Sequence, residues 1–377
     1  MHRTPTTFIL IAVILAGSAM AAQTRLWPAV YPLDTHWQRP LPFGDDVQVQ
    51  VGDSRVLITT SSGVNAWSWD AGEPTWSADV SVTQPPLIVD GKAVIASADE
   101  VIAFSELTGR VEWRFPSGAV GTPMTARGGW LLVTSPTGTL TALRSADGSR
   151  VWSREIGSAL VTPIAIDGDS VYTVTATTLA SWSITDGAPR WAVAADGTRS
   201  VFAGHQRVFI ASSGYLSAYA QRDGRRQWSY AVAMPPISRL TADTLHVYFA
   251  GLDNGVRAFR ADNGHMIWKR AVASRIVEGL TADAGQVYVP QASGEVALLL
   301  SRTGKVVGRL AVPPRQSLDT AGLAAAGALD TLRLARLTVS DSNRILTTFA
   351  RRTLGVIGPG VSGTPILLSP PPPPRRP

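Results

Sequence analysis

The stretch AFSELTGRVEW, residues 103–113, decides the fold because it does not stand alone. Variants of it lie at 66–76 (AWSWDAGEPTW), 142–152 (ALRSADGSRVW), 181–191 (SWSITDGAPRW), 218–228 (AYAQRDGRRQW) and 258–268 (AFRADNGHMIW). A glycine precedes each closing tryptophan by four positions: Gly72, Gly109, Gly148, Gly187, Gly224 and Gly264. A further copy, LLSRTGKVVG at 299–308, keeps its glycine, Gly304, but puts Gly308 in place of the aromatic. The tryptophans Trp37, Trp76, Trp113, Trp152, Trp191, Trp228 and Trp268 recur every 37 to 40 residues. A period near 40 with short strands is the signature of a radial array of small sheets.

Each unit reads as strands joined by turns. A β-branched or aromatic run precedes every phrase, as in Val56-Leu57-Ile58, Leu131-Leu132-Val133, Val208-Phe209-Ile210 and Val247-Tyr248-Phe249. Such residues favour strands, and pairs such as Asp90-Gly91 and Asp167-Gly168 separate them. A second strand ends in a small residue plus a large apolar one, as in Ala103-Phe104 and Ala258-Phe259. The Asp-Gly and Asn-Gly pairs that follow are signals for a two-residue hairpin turn, in which both central residues take positive φ. The tryptophan then falls on the return strand, where its large flat side chain is expected to dock against the neighbouring blade. Trp27, Trp67, Trp69, Trp130 and Trp182 are out of phase; any ligand-contacting tryptophan is expected among them.

Counting return strands from Trp37 to the Gly308 position gives eight, so the expected fold is an all-β, eight-bladed propeller of four-stranded antiparallel blades, with seven blades as the alternative. Trp37 has no hairpin partner ahead of it, and the last strands of the chain have no return strand. The strand of Trp37 is therefore expected to complete the C-terminal blade, closing the ring and removing exposed sheet edges. The run AGLAAAGALDTLRLARL (321–337) reads equally as a short helix or as loop and strand.

The ends carry other signals. An apolar segment from Phe8 to Gly17, followed by Ala19-Met20-Ala21, reads as a signal peptide of residues 1–21, with an uncleaved anchor as the alternative. Residues 22–36 are a lead-in, 37–358 the propeller, and 359–377 a tail. Five consecutive prolines, Pro370 to Pro374, favour an extended polyproline conformation there. The chain has no cysteine, so it carries neither a disulfide framework nor a lipidation site. The expected location is the periplasm or the exterior.

Residues able to carry chemistry are sparse. The histidines His2, His36, His205, His246 and His265 show no metal-ligand spacing. Asp147, Asp186 and Asp223 each precede a turn glycine and read as turn formers rather than acids or bases. No nucleophile elbow or P-loop is present. The net charge is +6, with Arg222, Arg225 and Arg226 on one hairpin and Arg351-Arg352 near the end. These clusters read as solvated tips, or as weak attraction to an acidic partner or surface. No catalytic residue, metal ligand or cofactor is assigned.

The pattern Ala-x-x-x-x-(Asp/Thr/Asn)-Gly-x-x-x-Trp, with Pro85-Pro86, Thr122-Pro123 and Thr162-Pro163 opening later units, resembles the pyrroloquinoline-quinone-like propeller repeat. The resemblance covers residues 37 to 310 clearly and 311 to 358 weakly. It implies one of two kinds of protein. The first is the quinoprotein alcohol and sugar dehydrogenases, which are larger and hold calcium through carboxylates and an amide near the axis. Many of them also carry adjacent cysteines. The second is the propeller component of the outer-membrane β-barrel assembly machinery, a scaffold without quinone, and the layout of this chain is closest to it. That component is typically a lipoprotein, from which this chain departs. The expectation is an exported, non-enzymatic scaffold acting in outer-membrane protein assembly, with a small quinone-dependent dehydrogenase as the alternative. Its partners are expected to be envelope proteins, a barrel-assembly component among them, with no nucleic acid, at most peripheral membrane contact and a monomeric state.

Overall fold

A computed structural model describes residues 29–40, 48–52, 54–233, 236, 238–276, 279–283, 285–292, 295–311, 334–339, 345–349 and 353–359. The segment 1–21 read as a signal peptide, Trp27, the Arg351-Arg352 pair and the proline run lie outside the described residues. Every regular element among the described residues is a strand, and no helix there is long and apolar enough to cross a membrane. Of the ambiguous run 321–337, the part from Leu334 on belongs to the strand Leu334–Val339; the rest is not described.

The strands form seven hydrogen-bonded sheets, six of four strands and one of eight. The eight-stranded sheet divides into two antiparallel units of four, joined where Ala29–Pro32 pairs in parallel with Gly308–Ala311. Counted as sheets the blades number seven; counted as four-stranded units they number eight. The all-β propeller is thus observed, and its expected count and the alternative meet in the one sheet where two units merge. Below, blades one to eight denote the four-stranded units, starting at Gln48–Val51.

The chain ends meet in blade eight. The strand Ala29–Pro40 pairs antiparallel with Thr353–Pro359, placing Trp37 opposite Val356. This strand begins inside the segment read as a lead-in, so the N-terminal contribution is longer than the tryptophan phase indicates. It contacts two blades, with its first residues on the outer edge of blade seven and the remainder completing blade eight. Its pairing with blade seven runs from Gly308, the position where the tryptophan series lapses, to Ala311.

Blade four shows how sequence makes a blade. Its strands are Ala165–Asp167, Ser170–Val174, Thr178–Ser183 and Pro189–Ala194, paired in order. Second strands such as Ser170–Val174 are buried along their whole length because a neighbouring blade covers each face, so they read as continuous apolar runs rather than alternating ones. The cores accordingly lie between blades. Leu57, Val64 and Ala66 of blade one meet Ala93, Ile95, Ile102 and Phe104 of blade two, while Val94, Ala96, Val101 and Ala103 of blade two face blade three.

The repeated phrase is explained by register. In blades one to seven a bulge interrupts the last hairpin just before the tryptophan position; in blades one to six the tryptophan then pairs directly with a small residue of the third strand, and in blade seven Gly308 pairs with Leu298. Ala103 faces Trp113, and Ala142 faces Trp152. A bulge turns a strand locally and re-aims its side chain. Here the indole crosses to the next blade and lies on that blade's turn glycine. A Cβ on Gly187 would fall 2.6 Å from Trp152 Cε3, and one on Gly148 would fall 2.6 Å from Trp113 Cε3.

Each indole N–H then donates to the carbonyl three residues before that glycine. The pairs are Trp76 to Glu106 (2.8 Å), Trp113 to Ser145 (3.0 Å), Trp152 to Ile184 (2.7 Å), Trp191 to Gln221 (2.7 Å), Trp228 to Ala261 (3.1 Å) and Trp268 to Ser301 (2.8 Å).

The turn itself differs from the two-residue hairpin expected. Four residues separate the closing pair, as where Ser105 N–H donates to Arg110 O (2.7 Å) and Gly109 N–H to Ser105 O (2.9 Å). Only the glycine is left-handed: Gly72, Gly109, Gly148, Gly187, Gly224, Gly264 and Gly304 have φ between 63° and 73°, and the residues before them do not take positive φ. Two-residue turns occur instead between first and second strands, as at Asp90-Gly91 with φ of 49° and 68°.

Replacing a mid-ring tryptophan removes packing and a buried hydrogen bond together. Trp152→Ala is expected to cost about 3–5 kcal/mol, and Arg225→Ala, on an exposed turn, to be near neutral. Urea denaturation midpoints compare the two; equal, small shifts would contradict the packing account.

Candidate interaction surface

Each blade is an antiparallel meander, so its first and third connections emerge on one face of the ring. Its second connection and the link to the next blade emerge on the other. The turn glycines and Arg222, Arg225 and Arg226 belong to the first of these faces. The first strands lie side by side from blade to blade, from Gln48–Val51 through Leu87–Val89 and onward to Thr281–Asp283.

Between the first strands of blades four and five is a recess of about 260 Å³. Ile164, Ile166, Val201 and Phe202 give it an apolar wall, and Arg199 and Arg239 also line it. Both arginines are exposed. Arg199 Nε donates to Ser213 Oγ at 3.1 Å, and among the described residues neither guanidinium pairs with a carboxylate. The wall is fixed from behind by the blade four–five core of Tyr172, Val174, Val208 and Ile210, against which Ala165, Val201 and Ala203 pack. Leu240 N–H donates to buried Ser200 Oγ at 2.9 Å, tying the link that carries Arg239 to blade five. Arg127, on the first strand of blade three, is by contrast engaged with Asp167 (3.2 Å) and with the Ile166 carbonyl.

Three exposed apolar side chains lie in connections on the same face of the ring as the recess. Val161 (49 % exposed) precedes Pro163 in the link entering blade four. Tyr215 (56 %) follows Ser213, the partner of Arg199. Leu252 (59 %) adjoins Gly251, which bridges to Pro236 in the segment leading to Arg239.

Several ionisable groups elsewhere serve turns and pairs. Asp147, Asp186 and Asp223 accept backbone N–H groups two residues on, from Ser149 (2.9 Å), Ala188 (3.1 Å) and Arg225 (3.1 Å). Hydrogen bonds hold all three carboxyls below their ordinary pKa: those from the Ser149 and Ser183 side chains lead at Asp147 and Asp186, and the Arg225 N–H leads at Asp223. In blade six, Asp243 accepts from Tyr248 Oη (2.5 Å) and from the N–H groups of Leu245 and His246 (2.8 Å each). His246, the first residue of its strand, places Nδ1 3.3 Å from Asp243 Oδ1. Burial, then the Asp243 charge, pushes the Tyr248 phenol well above its usual range. This cluster braces a turn and holds no nucleophile.

Asp253 takes both guanidinium nitrogens of buried Arg257 (3.0 and 2.7 Å) and Lys269 Nζ at 2.7 Å. Arg257 Cζ also lies 5.8 Å from the centroid of the Phe249 ring.

Among the described residues no three His, Asp or Glu side chains are placed to share a metal ion. Trp67 and Trp69 are buried, while Trp130 and Trp182 pack on the blade three–four core; none of the four lines the recess. Sequence reasoning misses Arg199 and Arg239, which belong to successive repeats and carry no motif.

A family model described as outer membrane protein assembly factor BamB matches residues 20–159 and 201–327. The chain belongs to this family. Among solved structures, the crystal structure of BamB from Moraxella catarrhalis is similar, with a TM-score of 0.63 at 19 % identity over 86 % of this chain and 99 % of that one. The computationally designed Ika8 protein is similar as well, with a TM-score of 0.66 at 12 % identity over 85 % and 98 % of the two chains. At such identities both likenesses concern the fold alone. No curated protein sequence matched. BamB-family membership agrees with the repeat resemblance and with the layout described above.

The Asp253 cluster gives a signed pH dependence. The Arg257 hydrogen bonds, against the opposing effect of burial and with help from Lys269, hold the Asp253 carboxyl far below its ordinary value. A depressed carboxylate contributes stability that is present above its unfolded pKa of about 3.9 and lost as pH falls through the folded value. Asp253→Asn is expected to destabilise the protein by about 2–3 kcal/mol at neutral pH. That difference from the parent should shrink as pH drops below about 4. Denaturation curves at several pH values check this; a difference independent of pH would contradict it.

Proposed function

We propose that this chain is an exported, non-enzymatic propeller scaffold that acts in outer-membrane protein assembly by holding protein partners through the loops of one face. The observation that carries the reading is the BamB-family match over most of the propeller. The geometry is in keeping with it: the ring presents connecting loops on both faces, and Asp147, Asp186, Asp223 and Asp253 serve turns and an ion-pair cluster. On this reading residues 1–21 are a leader removed after Ala21, and the mature chain, having no cysteine to acylate, works as a periplasmic monomer with at most peripheral membrane contact. The Trp series and the turn glycines are docking joints between blades, Trp37 included, and the proline-rich residues after the strand Thr353–Pro359 form a tail outside the propeller.

Two experiments test the reading together. Deletion in the source organism should lower outer-membrane protein levels, and pull-downs from envelope extracts should recover a barrel-assembly component. Purified mature protein given calcium and pyrroloquinoline quinone should show no dye-linked alcohol or sugar oxidation. Saturable quinone binding with turnover would overturn the scaffold reading in favour of a dehydrogenase. Recovery of polysaccharide alone would overturn the assignment of the partner.

A further inference from the structure

We infer that the recess between blades four and five is a docking site for an extended protein segment carrying an acidic side chain between apolar ones. The inference rests on the scaffold reading only in taking the ligand to be protein.

Three observations carry it. The first is charge. Arg199 and Arg239 face one recess from two different blades, and no carboxylate among the described residues neutralises either. A planar guanidinium fork matches a carboxylate with two parallel hydrogen bonds, and two forks at one recess select for that anion. The second is size. A volume of about 260 Å³ lies below the usual range for a small-molecule site, about 300–1,000 Å³; it suits one or two side chains of a peptide. The third is the surround. Val161, in the link entering blade four, and Tyr215 and Leu252, in connections of blades five and six, are exposed on the face that carries the recess. A ligand that reaches these side chains from the recess continues past it in both directions. Its carboxylate is therefore an internal Asp or Glu side chain, not a chain terminus.

The surface is also rigid. The first strand of blade five, Thr198–Gly204, pairs along its length with Arg207–Ser212, and Ser200 fixes the link to blade six. A preformed recess lowers the ordering cost of binding. The basic hairpin of Arg222, Arg225 and Arg226 lies on the opposite face, and Arg222 already pairs with Asp223 at 3.2 Å, so it offers no equivalent pair.

The test uses the full mature protein and a short fluorescent peptide, blocked at both ends, with a Leu-Glu-Phe-Glu-Val core. A second peptide carries Gln in place of each Glu. In fluorescence anisotropy the acidic peptide should bind saturably, and the Gln peptide about tenfold more weakly. The double variant Arg199→Gln/Arg239→Gln should bring the acidic peptide down to the level of the Gln peptide, with thermal melting unchanged. Tyr215→Ser and Leu252→Ser should each weaken binding about two- to threefold. Arg225→Gln should leave it unchanged. A photo-crosslinking group in place of the peptide Phe should label residues 163–166 or 199–203. Equal binding of the two peptides, indifference to the arginine pair, absence of saturable binding, or crosslinks confined to other blades would overturn the inference. The outcome is independent of the scaffold reading, since envelope pull-downs can succeed while this recess stays empty, and the reverse.

Discussion

The ring depends on one repeated contact, an indole laid flat on a glycine of the next blade with its N–H given to a carbonyl of the same turn. The two halves of this contact need each other. The glycine must be left-handed to close the four-residue turn, and it must lack a Cβ for the indole to lie there. The tryptophan must sit just after a bulge to reach across, and it must face a small residue on its own blade. One phrase of eleven residues encodes all four requirements, which is why the phrase recurs as a unit while its other letters drift. Apolar cores fill the space between blades, but burial is non-directional. The hydrogen bond and the glycine contact set the angle at which neighbouring blades meet.

Where the contact lapses, the architecture changes. Blade seven has Gly308 at the tryptophan position, and the outer edge of that blade pairs with the N-terminal strand instead of standing free. That strand then continues into blade eight, so the two ends of the chain are joined through backbone hydrogen bonds. Closure by a strand from the opposite terminus makes the ring a single cooperative object rather than an open solenoid, in which each repeat would contact only its neighbours. The constant ring then supports variable loops, and the recess between blades four and five is one product of that variation.

Much of this is legible in the letters. The tryptophan and glycine spacing reveals the repeat, its strand count and the pairing of Trp37 with the C-terminal strands, because a packing requirement renewed about every forty residues leaves a periodic trace. The turn type is not legible in the same way. Asp-Gly signals a two-residue hairpin when taken alone, but Asp147, Asp186 and Asp223 use their carboxylates to hold the N–H beyond the glycine, which stabilises a longer loop with a single left-handed residue. The N-terminal strand starts at Ala29 rather than near Trp37, since edge pairing requires backbone groups and leaves little mark on side-chain choice. Arg199 and Arg239 are invisible for a different reason. They lie forty residues apart and converge only through the curvature of the ring, and an exposed arginine without a carboxylate partner looks like any solvated cation. The Asp253–Arg257 pair is equally hidden, because a buried ion pair follows no phase of the repeat.

The central claim is that tryptophan and glycine act as one joint across the blade boundary. A double-mutant cycle on Trp152→Ala and Gly187→Ala, measured by reversible chemical denaturation, tests it most directly. The account predicts strong non-additivity, with the glycine substitution costing much less once the indole is gone and a coupling energy of about 1–3 kcal/mol. Additivity within about 0.5 kcal/mol would show that the two residues stabilise the ring independently, and would contradict the account.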